Sequence, residues 1–253
     1  MLVGIDHVII ACADPEAAAG QLETTIGLRA TGGGRHDAHG THNRLIWLGD
    51  SYIELMGVFD ADLAAHSWWG AHMAQSLSLS SAAYAGLALA SNDLAADIDR
   101  LRGQGAPLSE PIPGERRRAD GETVRWRIAR LPEADSDVGL CFLIEHDPNS
   151  AEWRDEDRAG RARQVHPVGT AVRLVRMELP VKDVRAATLR LLRELGLQFR
   201  PSLAGGGARD ASLGRQTLRV SGVARPVITI RAGTVARRVE AFGSDWELIP
   251  TQP

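Results

Sequence analysis

The amino-acid sequence predicts an α+β fold in which a βαβββ unit is used three times to build curved mixed sheets. Two observations predict this class. First, three helix signals run from a capping residue to a terminating glycine over the same distance, and an apolar run of strand length precedes each cap. Second, further strand-like runs follow each glycine. The interval between units varies, which excludes a solenoid of constant period.

The helix signals define the three units. Asp14 precedes a proline, which favours the first helical position, and the run that begins there ends at Gly27. The same cap-to-glycine distance separates Asn92 from Gly105 and Asp183 from Gly196. The strands before the caps are predicted at residues 5–11, 84–90 and 174–181.

Three strands are predicted after each helix. They lie at 28–31, 41–48 and 51–58 in the first unit, near 111–113, 123–131 and 138–146 in the second, and near 198–201, 216–221 and 227–231 in the third. Gly49-Asp50 predicts a two-residue hairpin turn between the last two strands of the first unit. The glycine triplets at 32–34 and 205–207 fall between the second and third strands, and we interpret both as flexible turns.

The predicted domain organisation follows from these units. Residues 1–148 form one domain of two paired units, 1–60 and 80–148. Residues 149–169 alternate in charge and are predicted to be an exposed linker. Residues 170–253 form a third, degenerate unit with a C-terminal segment.

Composition excludes several classes of protein. The apolar fraction of 44% is that of a packed globular chain, and the formal net charge of −3 argues against a nucleic-acid partner. No apolar run approaches the roughly 20 residues that span a bilayer, so no membrane association is expected. Cys12 and Cys141 lie in strand-like apolar runs, which is typical of buried thiols in a reducing compartment. These features predict a cytoplasmic protein.

Two strands carry a metal-capable side chain where a core residue is expected. They are residues 5–10, with His7, and residues 52–56, with Glu54. A buried ionised group needs a partner, because an unpaired charge in an apolar setting is costly. A metal ion held between the strands would supply that partner. The alternative is a core histidine and a core glutamate that are satisfied by hydrogen bonds.

Registration of the units extends this set. When the three units are aligned on their helix caps, His7 matches Ala85 in the second unit and Arg176 in the third. On the last strands, YIEL at 52–55 aligns with LIEH at 143–146, so Glu145 matches Glu54 and is predicted to face the same cavity. His146 would then face the opposite side by strand alternation. The third unit has no acid in the strand aligned there.

The predicted hairpin also selects substrate-binding candidates. A two-residue turn pairs Leu45 with Glu54 and places Asn43 and Trp47 on the face of Glu54. His42 would point away, unless a β-bulge inverts the strand. We consider Asn43, His42 and Trp47 as substrate-binding residues. The three arginines at 116–118 indicate a solvated face, or, less commonly, a contact with an anionic substrate group at a pocket mouth.

Four segments carry a resemblance to a known family: residues 5–8 (IDHV), 40–45 (GTHNRL), 52–55 (YIEL) and 142–145 (FLIE). The first 150 residues resemble the glyoxalase-like branch of the vicinal oxygen chelate superfamily, and the third unit does so only weakly. The resemblance implies a cup of paired βαβββ units around a divalent metal. The implied ligands are His7, Glu54 and Glu145, whereas Ala85 occupies the fourth ligand position and has no group that binds a metal. Zn, Mn, Fe and Ni all suit such a set.

The resemblance implies a metal-dependent enzyme of the lyase or isomerase type, acting on a small oxygenated organic molecule without an organic cofactor. Glu54 or Glu145 would be the catalytic base. A dioxygenase is less expected. The competing hypothesis is a metal-free protein that binds or sequesters a small molecule in the same cup, which Ala85 and the tryptophans favour.

The third unit lacks ligand residues and is predicted to be structural. Its sheet would expose an apolar face at positions such as Leu174, Leu218 and Ile228. That face must be covered by the first two units, by the C-terminal segment around Trp246, or by a second copy. We therefore predict a homodimer as one way to cover it.

Overall fold

The chain folds into a closed eight-stranded barrel and a seven-stranded mixed sheet, with helices packed on their outer faces. The structure is a computed structural model that describes residues 2–132, 138–169 and 171–251. The α+β class and the glyoxalase-like arrangement of βαβββ units are confirmed. The predicted domain bounds at residues 1, 170 and 253 lie outside the described residues.

The barrel contains the first two units. Its strand order is β1-β4-β3-β2-β6-β7-β8-β5. The strands are β1 (Leu2–Cys12), β2 (Gly32–His36), β3 (Thr41–Leu48), β4 (Ser51–Val58), β5 (Ala82–Ser91), β6 (Ile112–Arg117), β7 (Thr123–Arg130) and β8 (Leu140–His146). In each unit the first and last strands are parallel, and β1 joins the units by pairing antiparallel with β5.

The barrel closes where β2 meets β6, at the single pair Arg35 with Arg117. The prediction of a strand at 28–31 followed by a flexible glycine turn is wrong, because the glycines themselves form β2. A Cβ at Gly34 would collide with the backbone carbonyl of Arg117. Glycine is therefore needed at this seam so that the two backbones can approach.

Six helices occur among the described residues. They are α1 (Pro15–Thr25), α2 (Ala61–Ala65), α3 (Trp68–Leu79), α4 (Leu94–Arg102), α5 (Asp155–Ala162) and α6 (Val184–Leu195). Asp14 and Asp183 cap α1 and α6 as predicted. The cap of α4 is Asp93, whose carboxylate accepts from the Ala96 N–H, so the prediction of Asn92 is wrong by one residue. Helices α2 and α3 lie between the two predicted units 1–60 and 80–148, where no helix was predicted.

The second sheet contains more than the predicted third unit. Its order is β10-β11-β12-β9-β13-β15-β14. The strands are β9 (Arg173–Pro180), β10 (Phe199–Pro201), β11 (Arg209–Leu213), β12 (Gln216–Ser221), β13 (Val227–Arg231), β14 (Arg237–Ala241) and β15 (Ser244–Ile249). The last strand of the third unit is β12, parallel to β9. Strand β13 pairs antiparallel with β9, as β5 does with β1, and begins an incomplete fourth unit.

One hydrophobic core joins the two sheets. Leu174, Leu218 and Ile228 are buried in the same cluster as Val8 and Leu22 of the barrel. The apolar face of the second sheet is thus covered within the chain, by α6 and by the outer face of the barrel. The argument for a dimer from an uncovered apolar face no longer applies, and the dimer stays a prediction. The domain boundaries stay a prediction as well.

No helix in the described ranges 2–132, 138–169 and 171–251 is long and apolar enough to cross a bilayer. The cytoplasmic location stays a prediction.

Candidate functional site

The site lies inside the barrel, where strand alternation brings every second side chain. The register of β3 against β4 pairs Leu45 with Glu54, as predicted from the two-residue turn. The structure therefore brings His7, Asn43, Trp47 and Glu54 to one cavity. Their functional roles stay predictions. His42 points out of the barrel and packs its ring edge-on against Phe59.

His7 is positioned by a β-bulge in β1. The pairs Ile5–Leu89 and His7–Ala88 leave Asp6 as an extra residue between them. The amide of Gln216, on the second sheet, accepts from the Ile5 N–H at 2.6 Å and so occupies the hydrogen bond freed beside the bulge. Asp6 thereby turns inward and accepts from the Nδ1 of His7 at 2.7 Å.

Asp6 binds a second imidazole. The Nε2 of His146 lies 3.2 Å from the same Asp6 oxygen, Oδ1. All three side chains are buried. Burial by itself would raise the pKa of Asp6, but the charge and hydrogen bonds of His146 and His7 outweigh it and hold that pKa well below its usual range. Asp6 is therefore an ionised acceptor that orients both rings.

Glu54 is held from the other side. The amide Nδ2 of Asn43 donates to Glu54 Oε1 at 2.5 Å, and the Asn43 Oδ1 accepts from the Gly34 N–H at 2.9 Å. Because the backbone of β2 fixes the amide orientation of Asn43, the carboxylate is fixed in turn. The other oxygen, Oε2, remains to face His7 Nε2 at 3.4 Å.

This last distance joins two acceptors. Asp6 accepts the hydrogen bond from Nδ1–H of His7. Nε2 of a neutral His7 therefore presents a lone pair to the Oε2 of an ionised Glu54. Two facing acceptors in a buried site repel each other unless a proton or a cation lies between them. A proton or a cation between His7 Nε2 and Glu54 Oε2 would relieve this repulsion.

The described residues do not fit a metal held by three or more protein ligands. No group of three histidine, cysteine, aspartate or glutamate side chains with metal-ligand geometry occurs among them. Gly86 lies as far before Asp93 as His7 lies before Asp14, so the position matching His7 is Gly86, not Ala85. In the strand registers Ile9 pairs with Glu54, and Ala88 with Phe142. The counterpart of Glu54 is therefore Phe142, so the second unit has no ligand side chain at either of the two matching positions.

The predicted location of Glu145 is wrong. Its carboxylate lies on the outer side of the barrel and accepts from Arg127 at 2.5 Å. His146, predicted to face outward, lines the cavity instead. The error arose because LIEH was aligned on YIEL, whereas the strand registers place Phe142 opposite Ala88 and so shift β8 by three residues. Parity then reverses, since an odd shift moves each side chain to the other face.

The third unit was also misaligned in its last strand. With β12 as that strand, Arg176 pairs with Thr217 and Glu178 pairs with Arg219, where the first unit has Ile9 and Glu54. Arg219 binds Asp210 through two hydrogen bonds, of 2.6 and 3.0 Å. The corresponding face of the second sheet is thus an ion-pair network without an imidazole.

The cavity is narrow and mostly aromatic. Its free space is about 40 Å³, enough for a few water molecules but well below the roughly 300 Å³ of a typical ligand pocket. Tyr52 stacks on the His7 ring at 4.6 Å, and Phe142 meets that ring edge-on at 5.7 Å. Sequence reasoning missed most of the wall, which includes His36, Tyr52, Trp69, Met73, Arg116, Trp126, Phe142, Glu152 and Trp153.

Burial determines the protonation of the other cavity groups. It raises the pKa of Tyr52 well above its usual range, with help from Asp6 and Glu54, so the phenol stays protonated. It lowers the pKa of His146, against the opposing effect of Asp6. Burial also raises the pKa of Cys12 and that of Cys141 to about 12, which excludes either thiol as a nucleophile near neutral pH.

A wider groove of about 860 Å³ lies on the outside of the barrel at β6, β7 and β8. It shares Trp126 and His146 with the cavity, so these two side chains separate the groove from the interior. Arg117, Arg125 and Arg127 line the groove, each in an ion pair with an acidic side chain. Glu145 belongs to this groove.

The buried histidines predict a loss of stability in acid. Burial, followed by the charge of Arg116, lowers the pKa of His36 well below its ordinary 6.5. Below pH 6.5 the unfolded chain therefore binds a proton that the native state does not. As the pH is lowered, the free energy of unfolding decreases by about 1.4 kcal/mol per pH unit for each such group. Denaturant unfolding between pH 7 and 5 should show a shallower slope for H36Q than for the wild type.

The control is H66Q, because His66 is exposed. Its pH slope should equal that of the wild type. An unchanged slope for H36Q would show that the native state does not exclude the proton from His36.

Comparison with known proteins supports the architecture. The family model described as a glyoxalase-like domain matches residues 5–196. The crystal structure of a hypothetical protein from Staphylococcus aureus superimposes with a TM-score of 0.81, over 98% of this chain and 99% of that one, at 16% identity. The whole fold, including the second sheet, is thus shared with a solved structure. No curated protein matches the chain in sequence.

Methylmalonyl-CoA epimerases resemble part of the chain. The enzyme from Mycobacterium tuberculosis is 28% identical, with a TM-score of 0.45, over 58% of this chain and 91% of its own. The enzyme from Streptomyces coelicolor, in complex with 2-nitronate-propionyl-CoA, is 24% identical, with a TM-score of 0.44, over 57% of this chain and 97% of its own.

Proposed function

Because the chain belongs to the glyoxalase-like domain family of the vicinal oxygen chelate superfamily, we propose that the barrel interior is the active site of an enzyme that moves a proton on a small organic molecule. The observation that carries this proposal is the buried pair of His7 Nε2 and Glu54 Oε2, 3.4 Å apart and open to the cavity. Asp6 and Asn43 hold the pair from opposite sides, so its geometry is prepared before a ligand arrives.

The reaction class follows from the two groups. Glu54 Oε2 is the base, since Oε1 is engaged by Asn43. His7, when protonated on both nitrogens, donates its Nδ1–H to Asp6 and offers its Nε2–H to a developing oxyanion. Glu54 takes a proton from the carbon beside a carbonyl, and the imidazolium donates a hydrogen bond to the enolate oxygen. Returning the proton to another carbon gives an isomerase, and losing a leaving group gives a lyase.

The wall restricts the substrate. Tyr52, Trp126 and Phe142 present ring faces and edges to the cavity, which favours a planar and mostly apolar body. The His7–Glu54 pair presents polar atoms to this body. The substrate class is therefore a small carbonyl compound with one apolar or aromatic side.

A divalent metal ion is the second candidate, favoured by the two acceptors that face each other across 3.4 Å. Catalytic zinc sites have three protein ligands and one open position. The described residues supply only His7 and Glu54, so a metal here would depend on ligands from outside the protein. A proton satisfies the same pair with the residues present. Metal content of the wild-type protein and of H7Q, by elemental analysis, separates the two.

The test of the proposed function is hydrogen exchange into candidate substrates. Wild-type protein purified without added metal is incubated in D2O with a panel of aromatic and branched 2-oxo acids and 3-oxo acids, and NMR follows deuterium uptake at the carbon beside the carbonyl. We expect uptake faster than in buffer for at least one compound that raises Tm. A compound that raises Tm without exchange would instead favour the binding or sequestering role. Homodimer formation stays a separate prediction, tested by sedimentation.

A further inference from the structure

Arg116 is a buried cation at the cavity that uses only part of its guanidinium. It lies on β6 and is 3% exposed. Its Nη2 donates to Glu152 Oε2 at 2.5 Å, whereas Nη1 is buried with no hydrogen-bond partner among the described residues. A guanidinium binds a carboxylate best through two parallel N–H groups. One of the two donors at the cavity wall is therefore available.

Glu152 reaches Arg116 from the segment that connects β8 to α5, residues 147–154, which we name the connector. Glu152 has a left-handed backbone with φ 68°, which a non-glycine residue adopts only when its surroundings require it. The next residue, Trp153, stacks on His146 with ring centroids 3.6 Å apart. Both residues line the cavity, so the connector forms one of its walls.

The connector lies outside the strand ladders. One backbone bond, from Asp147 N–H to the Arg125 carbonyl, ties its first residue to β7. Its other described backbone hydrogen bonds are local, such as Trp153 N–H to the Ser150 carbonyl and Glu152 N–H to the Asp157 carboxylate. The strands are held by continuous ladders. An organic ligand needs far more than the 40 Å³ now free, so a wall must move. The connector is a wall outside the sheet, so it can move without breaking a strand ladder.

We propose that a carboxylate group of the ligand takes the place of Glu152 on Arg116, and that the connector opens to admit it. The exchange is favourable because the ligand can engage both Nη1 and Nη2, whereas Glu152 engages one. The displaced Glu152 has a second partner at the mouth, since Arg118 Nε already lies 3.8 Å from its Oε1. The ligand class is thus a small organic carboxylate, with its apolar part directed toward the aromatic wall.

This inference rests on the proposed function only for the location of the site. Carboxylate recognition by Arg116 and proton transfer by Glu54 involve different side chains. The two proposals can therefore fail separately. A Glu54 variant that still prefers carboxylates but no longer catalyses hydrogen exchange into the substrate would show that they depend on different residues.

The test compares acids with their neutral amides. Acetate, phenylacetate and indole-3-acetate, and the three corresponding amides, are titrated into the wild type, E152Q, R116K and R118Q by calorimetry. We expect the wild type to prefer an acid, E152Q to bind that acid about tenfold more tightly, and R116K to lose the preference, because lysine lacks the planar fork. R118Q should retain the preference but bind the acid more weakly, because the displaced Glu152 loses its second partner. E152Q keeps a polar side chain of the same shape, so it remains informative if R116K fails to fold.

Hydrogen exchange of the backbone provides a readout without ligand. Amides of the connector should exchange faster in E152Q than in the wild type, while those of β1 and β4 remain unchanged. Equal binding of acids and amides by the wild type and E152Q, no binding of any acid by E152Q, or unchanged connector exchange would each overturn the proposal.

Discussion

E54Q is expected to slow deuterium uptake into the substrate by about two to four orders of magnitude, the usual contribution of a positioned general base. A glutamine at this position can still accept from Asn43 Nδ2, so the local hydrogen bond is kept. It cannot take a proton from carbon. The measurement is the initial rate of uptake by NMR, with Tm recorded to show that the variant is folded.

E145Q is the matched control, because it makes the same chemical change in the other Ile-Glu sequence of the barrel. Glu145 is bound to Arg127 outside the cavity, so E145Q should exchange at the wild-type rate. A normal rate for E54Q would remove Glu54 as the base. A loss of exchange in E145Q alone would support the alignment of residues 143–146 with 52–55 and contradict the observed strand registers.

Local sequence signals predicted the repeated unit and half of the site. Caps, glycine stops and apolar alternation depend on neighbours in the chain, and they placed Glu54 opposite Leu45 correctly. The alignment that assigned Glu145 used four residues of similar composition. Composition does not carry strand register, and a shift of three residues sent the carboxylate outward and His146 inward.

Other parts of the site depend on contacts between distant residues. The bulge at Asp6 is supported by Gln216, on the other sheet. Arg116 was one of three adjacent arginines; its burial follows from the closure of the barrel at β2 and β6, while its neighbour Arg117 remains exposed. Trp69 and Trp153 reach the cavity from segments between the strands. The strand β11 was missed because it is only five residues long and follows a run of three glycines.

The second sheet is expected to contribute stability rather than chemistry, and Trp246 is the residue that tests this. Its side chain is fully buried on β15, and its Nε1 donates to the Ala241 carbonyl at 3.0 Å. W246A removes a large core side chain and should lower the free energy of unfolding by about 3–5 kcal/mol. W246F, which keeps most of the buried area, should lose less. Denaturant unfolding measures both.

A second measurement tests whether the second sheet only supports the barrel. It is the rate of deuterium uptake into the substrate with W246A, at a temperature where this variant is folded. We expect a rate close to that of the wild type, because Trp246 belongs to the hydrophobic core between the sheets and does not line the cavity of His7 and Glu54. The alternative has a physical route: Gln216 lies on β12 of the same sheet and holds the bulge that directs Asp6 toward His7. A folded W246A with impaired exchange, matched by Q216A, would show that the second sheet positions His7.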